Sequence, residues 1–384
     1  MRLLHTSDWH LGRSFHGVGL LAAQRRFIDQ LLQTVHEQRI EVLLISGDVY
    51  DRALPSVDVV RLFSDTLSRL REAGVTVVLS SGNHDSASRL GFAAKVLSHG
   101  GVHIAASVQD LDLPIIIDGV AIYAVPYLEP RLVAEELGVE DPDHRTVLAA
   151  ALQRIREDLA LRPGMPSVVM SHTFASGGVS SGDDDERVLS GMRAGGIGAV
   201  PLDLFEGFDY VALGHLHRRQ ELSTAVRYSG SPLAYSFSET GHSKGGWIVE
   251  LEASGLSAVK AVDWPPERQL AVLRGKLTEL LSDPALKDAE SSYCQVTLTD
   301  TQRPSRAMEQ LRERFPHTLV LEYVPEVLST TQQLSYAQRI AAAQSDLEIC
   351  TGFLSHVRAK SASAQEEAAL NSALDSVRAS EVAE

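Results

Sequence analysis

Five apolar runs in the first 217 residues each end in a short polar motif, and that repetition constrains the fold more than any one motif does. RLLHTS (2–7) leads into Asp8-Trp9-His10, and VLLIS (42–46) into Gly47-Asp48-Val49-Tyr50-Asp51. VTVVLSS (75–81) leads into Gly82-Asn83-His84-Asp85. SVVMS (167–171) ends in Ser171-His172, and YVALG (210–214) in Gly214-His215-Leu216-His217. Short runs of this kind read as buried strands. Strand ends lie at one edge of a sheet, where loops converge on a single cleft. Carboxylate, imidazole and amide oxygen are the donors that hard or borderline divalent metals take.

Between the runs lie amphipathic helical stretches. In 22–38, Phe27, Leu31 and Val35 recur every four residues; 57–70 carries Val60, Phe63, Leu67 and Leu70. Further strands are expected at 120–127 and 245–252. Mixed order of this kind predicts an α/β (α+β) domain with a β core covered by helices. Asp263-Trp264-Pro265-Pro266 marks its end, because consecutive prolines interrupt both helix and strand. Residues 267–325 read as a small α/β domain: helix 271–281, strand 293–300, helix 306–315, strand 318–324. In the last sixty residues or so, Ile340, Leu347 and Leu354 are spaced by sevens, as are Ala343, Cys350 and Val357. A second amphipathic stretch carries Leu370, Leu374 and Val377. The pattern fits a helical hairpin packed on its own domain as well as a helix pair for a partner's groove or coiled coil.

A length of 384 residues calls for more than one domain. No apolar run approaches the roughly 20 residues of a membrane helix. The first motif begins at Asp8, where a secretory apolar region would otherwise lie. Cys294 and Cys350 are the two cysteines, too few for a disulfide framework or a cysteine-rich zinc site. A cytoplasmic location is the expectation. The net charge of −15 suits solubility, and a nucleic-acid substrate would need local basic loops, the metals or a partner to attract it.

Asp8 and His10 are two apart, so on an extended segment both point to one metal. A carboxylate at the end of 42–46 can bridge two ions, although Gly-Asp after a strand is by itself an ordinary turn. Asn83 offers an uncommon but suitable oxygen, and His84 beside it is placed for general-acid work. Asp85 is expected to orient a ligand histidine from behind. His172 alone would read as structural and gains weight from the cluster. His215 and His217, after a buried strand, favour metal binding.

The order DxH, GDxxD, GNHD, SH, GHxH resembles that of the calcineurin-like metallophosphoesterase superfamily. The finer details are similar to its SbcD family, the nuclease subunits of bacterial double-strand-break-processing complexes. They are residues 4–12, Gly82 to Ser86, Ala212 to Arg218, and Gly230-Ser231-Pro232 followed by Ser236-Phe237. The resemblance spans residues 1 to about 360. It implies a β sandwich flanked by helices (1–265), a small capping domain for DNA (267–325) and a helical segment (334–384) that docks on an SbcC-type ATPase in a heterotetramer-like complex. It also implies a homodimer through nuclease-domain helices, with 57–70 a candidate. One metal would take Asp8, His10, Asp48 and His217; the other would take Asp48, Asn83, His172 and His215. His84 would be the catalytic histidine. Manganese is the expected metal, because the resemblance implies it and the set mixes oxygen and nitrogen without thiolate; zinc and iron are the alternatives such a set leaves open. Asp51 departs from the pattern, standing where some relatives carry a second assisting histidine.

The implied activity is two-metal hydrolysis of DNA, exonucleolytic (3′→5′) on duplex ends and endonucleolytic on single strands or hairpins, serving DNA repair and recombination. Any ATP dependence would rest with the partner, since no GxxxxGK[ST] motif occurs here. The alternative is a phosphodiesterase of the same superfamily acting on a small molecule. Arg13, Arg52, Arg89, Arg218 and Arg219 follow the metal motifs closely and are either phosphate contacts or solvated surface residues.

Overall fold

The computed structural model describes residues 1–179, 198–326, 343, 345–358 and 361–381. The acidic run Asp183–Glu186 and Ile340 lie outside them. The chain divides into two compact units, Met1–Leu270 and Ala271–Glu384.

The first unit is built on two six-stranded sheets. One has the order Gly255–Asp263, Gly245–Glu252, Arg2–Thr6, Val42–Ser46, Thr76–Ser80, Val102–Ala105, its last four strands parallel. The other has the order Gln220–Glu221, Val226–Tyr228, Tyr210–Gly214, Ser167–His172, Val120–Ala124, Ile115–Ile117. In it Tyr210–Gly214 and Val120–Ala124 both run parallel to Ser167–His172. All five motif-bearing runs are therefore parallel strands at or near the centre of a sheet.

Their apolar content follows from burial on both faces, as parallel strands require. Leu3, Leu44, Val78, Val168, Met170, Tyr210 and Ala212 fill the layer between the sheets. The opposite face of the second sheet packs Tyr123, Val169, Val211 and Leu213 with Val147, Leu148, Leu152 and Ile155 of the helix His144–Ala160. That helix starts on a capping box formed by Asp143 and Thr146. Buried polar links join the two sheets: Ser46 Oγ donates to Ala212 O (2.9 Å), and His5 bonds Tyr210 Oη (2.9 Å) and Leu213 O (3.2 Å).

Two expected helices in this unit form, as Leu21–Gln38 and Val57–Glu72. The second is rotated from the sequence reading. Its buried face is Val59, Leu62, Phe63, Thr66 and Leu70, which leaves Val57 and Val60 exposed. Trp264, read as a boundary residue, is a core residue of the first unit. It stacks on Phe27 (5.2 Å between centroids) and donates to Thr34 Oγ1 (3.0 Å).

The second unit holds a three-stranded sheet, Leu270–Gly275, Tyr293–Leu298 and Thr318–Tyr323, with helices Leu277–Ser282 and Ala307–Arg314. The helix expected over 271–281 is a correction. Residues 270–275 are a strand, and the helix begins only after Gly275. The Gly275 carbonyl accepts from Thr299 N (3.0 Å), and Leu277 N is capped by the Asp300 carboxylate (2.9 Å). The edge hydrogen bonds of Tyr293–Leu298 outweigh the helix propensity of Leu, Arg and Lys. The C-terminal stretches form helices Asp346–Arg358 and Ala364–Glu381, which pack on each other. Leu347, Cys350, Leu354, Leu370 and Leu374 are half-buried, while Phe353, Val357 and Val377 are exposed.

Candidate metal centre

The motifs of the first sheet and those of the second meet at one edge. Ser46 carbonyl, the last group of its strand, accepts from His172 Nδ1 at 2.9 Å across the sheets. That bond fixes the tautomer, since a carbonyl only accepts, and leaves the Nε2 lone pair inward. Nε2 then faces Asn83 Oδ1 at 3.0 Å and Asp48 Oδ2 at 3.3 Å. Three acceptors converge on one point, an arrangement that needs a proton or a cation between them.

A second convergence shares the same Asp48 oxygen. His10 Nε2 is 3.6 Å from Asp48 Oδ2 and 3.2 Å from His217 Nε2. Donor atoms of Asp8, His10 and His217 lie within 4.8 Å of one another, and so do those of Asp8, Asp48 and His172. His215 gives the clearest sign of a ligand held ready: its Nε2 is buried and has no hydrogen-bond partner. The histidines other than His84 are buried, whereas Asn83 is exposed and His84 half-buried, so solvent reaches the cluster from the Asn83–His84 side.

Ionisation matches this picture. Burial, followed by the neighbouring His172, pushes His215 down to about 3, and burial pushes His10 well below its usual value, so both are neutral lone-pair donors. Burial raises the Asp8 carboxyl. Burial also opposes charge on Asp48 and His172, but their mutual attraction wins. It holds Asp48 well below the carboxylate range and His172 up at about 9 when a proton occupies the place of a cation. A mixed set of carboxylates, imidazoles and one amide oxygen, with unsatisfied lone pairs aimed inward, fits divalent ions.

The loops reach this geometry through unusual backbone. Asp8, His10, Asp48 and His215 have φ of 54°, 40°, 49° and 109°, the left-handed side that costs about 1–3 kcal/mol each outside glycine. The expectation that Asp8 and His10 share one side of an extended segment is therefore overturned. They converge because the chain turns at each of them, and Asp8 accepts from His215 N (3.0 Å). Gly47, at φ +82°, has no room for a side chain: a Cβ there would lie 2.2 Å from His172 Nδ1.

Residues 1–219 match the calcineurin-like phosphoesterase family, and residues 266–371 match a family described as the type 5 capsule protein repressor C-terminal domain. Two relatives, each named as the SbcD component of the nuclease SbcCD, are similar over most of their length. The one from Staphylococcus saprophyticus is 30% identical over 326 residues, covering 84% of each chain. That from Staphylococcus epidermidis is 29% identical over 328 residues, covering 84% of this chain and 86% of its own.

The chain belongs to the SbcD family of calcineurin-like phosphoesterases. It is a metal-dependent phosphodiester hydrolase, a nuclease subunit by family. The small-molecule alternative is not favoured by these matches.

Around the SbcD-type cluster the structure revises several expected roles. Asp85 meets backbone amides rather than a histidine: it accepts from Val49 N (3.1 Å), Tyr50 N (2.9 Å) and Gly82 N (2.9 Å), and so pins the Asp48 loop to the Asn83 loop. Burial, then the Asp48 charge, raises it to about 6. Asp51 lies beside two imidazoles and bonds one of them. Its carbonyl accepts from His84 Nδ1 (2.9 Å), and its carboxylate lies 3.8 Å from His10 Nδ1. Arg13 turns inward to Asp51 (3.3 Å) and over the Tyr235 ring (5.2 Å). Arg219 bonds Val262 O (2.7 Å) and Asp263. Both arginines are half-buried and carry these contacts within the protein. Arg52, Arg89 and Arg218 remain exposed.

Sequence reasoning missed Glu239, Lys244 and Tyr235. Tyr235 packs its ring on His10 and His217 at 5.3 and 5.6 Å. The signal available was position alone: all three lie just beyond Gly230-Ser231-Pro232, a stretch that carries part of the family resemblance.

Proposed function

We propose that this chain cleaves DNA as the nuclease subunit of an SbcCD-type end-processing complex, with two manganese ions held by seven side chains. Asp8, His10 and His217 would hold one ion, Asn83, His172 and His215 the other, and Asp48 would bridge them. The observation that carries this reading is the facing of His172 Nε2, Asp48 Oδ2 and Asn83 Oδ1 lone pairs across the two sheets. When bound, the ions supply positive charge to the phosphate oxygens and make water a usable nucleophile near neutral pH.

The protein's own groups do the rest. Asp51 carbonyl holds His84 Nδ1 as a donor, so Nε2 is the nitrogen that exchanges a proton, and His84 protonates or stabilises the leaving sugar oxygen. Asp85 keeps the two loops in register, so the donors are organised before substrate arrives. Exposed Arg52, Arg89 and Arg218 would meet backbone phosphates, giving binding without sequence preference.

Residues 267–325 would serve DNA binding, and the 334–384 helices would dock on the ATPase partner through their exposed Phe353, Val357 and Val377. Exposed Val57 and Val60 support self-association of two copies through the Val57–Glu72 helix. Among the described residues no helix is long and apolar enough to cross a membrane. A reducing cytoplasm is the compartment this reading requires.

The test is cleavage of end-labelled hairpin and single-stranded DNA by the purified chain with manganese, with magnesium and with chelator. Manganese-dependent cutting that chelator abolishes supports the reading. Turnover of bis-nitrophenyl phosphate without any DNA cutting, alone or with the ATPase, would overturn it.

A further inference from the structure

Glu239 and Lys244 form an ion pair with side chains only 1% and 2% exposed. Burying such a pair costs desolvation that apolar residues of the same volume would avoid, so its presence asks for a purpose. Every polar atom of the pair leads to the metal centre or to the loop around it. Glu239 Oε2 binds Lys244 Nζ. Glu239 Oε1 accepts from Tyr235 N (3.1 Å) and lies 3.5 Å from His217 Nδ1. Lys244 Nζ donates to the His217 carbonyl (3.0 Å) and to Ser231 Oγ (2.9 Å). His217 is thus gripped twice, at its ring by the carboxylate and at its main chain by the ammonium. The carboxylate that faces His217 is thus the one paired with Lys244 Nζ.

We propose that Glu239 and Lys244 are positioning residues that set the metal affinity of the ion position shared by Asp8, His10 and His217, and leave the Asn83–His172–His215 position untouched. The carboxylate holds Nδ1 of His217 protonated, which leaves Nε2 as the lone pair turned towards His10 Nε2 at 3.2 Å. It also makes that nitrogen a stronger donor, the effect a carboxylate behind a ligand histidine has in metal sites generally. Lys244 holds that carboxylate in place through Oε2 and holds the His217 main chain from the other side. This inference rests on the metal-centre reading above.

The experiment is manganese binding to the metal-free full chain by calorimetric titration, with wild type, Glu239→Gln and Glu239→Gln/Lys244→Met. The double variant removes both charges together, so it keeps the test alive where the single variant folds poorly. The expected result is two ions for wild type. For both variants, one ion binds as in wild type and the other about 10–100-fold more weakly. The metal-free double variant should melt close to wild type. Two unchanged sites in the double variant, or equal weakening of both, would overturn the proposal and make the pair a loop closure only. Wild type that binds no manganese would instead sink the metal-centre reading on which it stands.

Discussion

Gly214→Ala is the sharpest probe of how the two sheets build the site. Gly214 ends the strand Tyr210–Gly214, pairs with His172 in register, and faces the end of Val42–Ser46. A Cβ at 214 would sit 1.8 Å from the Ser46 carbonyl oxygen and 2.9 Å from His172 Nδ1. The first contact is with backbone, so no side chain can swing away. Reaching ordinary van der Waals contact requires the sheets to part by about 1.6 Å at this point, an overpacking that costs about 1–3 kcal/mol. Functionally the damage is larger. Ser46 O fixes the His172 tautomer, and Asp48 follows two residues later. A misplacement of about 1 Å in such a site costs on the order of 100-fold, so kcat/KM for metal-dependent cleavage should fall by at least that much. Gly19→Ala is the control, since a Cβ there meets nothing within 4 Å. Cleavage kinetics and denaturant unfolding of the metal-free chains give both numbers. Wild-type cleavage by Gly214→Ala would refute the claim that direct contact between the sheet ends positions the donors.

His84→Gln should lower kcat by about 10²–10⁴ while metal content, read by atomic absorption, stays at the wild-type level; loss of metal together with activity would contradict the assigned role. Glu239 has its carboxyl depressed from 4.5 to about 2 in the fold, so its stabilisation is full above pH 4.5 and is lost as pH falls from there towards 2. Metal-free wild type should lose about 3 kcal/mol more than Glu239→Gln/Lys244→Met over that window, measured by unfolding against pH; parallel curves would show that the carboxylate is not held ionised. Deleting 334–384 should abolish co-purification with the ATPase and spare manganese-dependent cutting of single strands, and a truncated chain that still co-purifies would displace the docking surface.

What was legible in the sequence came from local pattern. Val42–Ser46, Tyr210–Gly214 and Gly245–Glu252 stand where their apolar runs stood, because strands buried on both faces have little freedom of composition. The candidate donors were legible because each lies at such a strand's end or within four residues beyond it. Backbone conformation was not: nothing in Asp8-Trp9-His10 announces left-handed φ at both ends, which only the surrounding packing imposes. Helix 271–281 failed because pairing with Tyr293–Leu298 is a long-range term that overrides local propensity. The same holds for Glu239 and Lys244, whose partner His217 lies more than 20 residues away. The face of Val60 was open in the sequence, to core or to a second copy, because apolar spacing alone does not say which of two overlapping stripes, 59–62–63–66–70 or 60–63–67–70, is buried.

The central claim is that seven side chains from both sheets hold two ions around Asp48. Anomalous diffraction at the manganese edge, from crystals grown with manganese, tests it most directly. Two peaks are expected, one among Asp8, His10 and His217, the other among Asn83, His172 and His215, with Asp48 in contact with both. A single peak, or two that leave Asp48 or His172 without an ion, would contradict it.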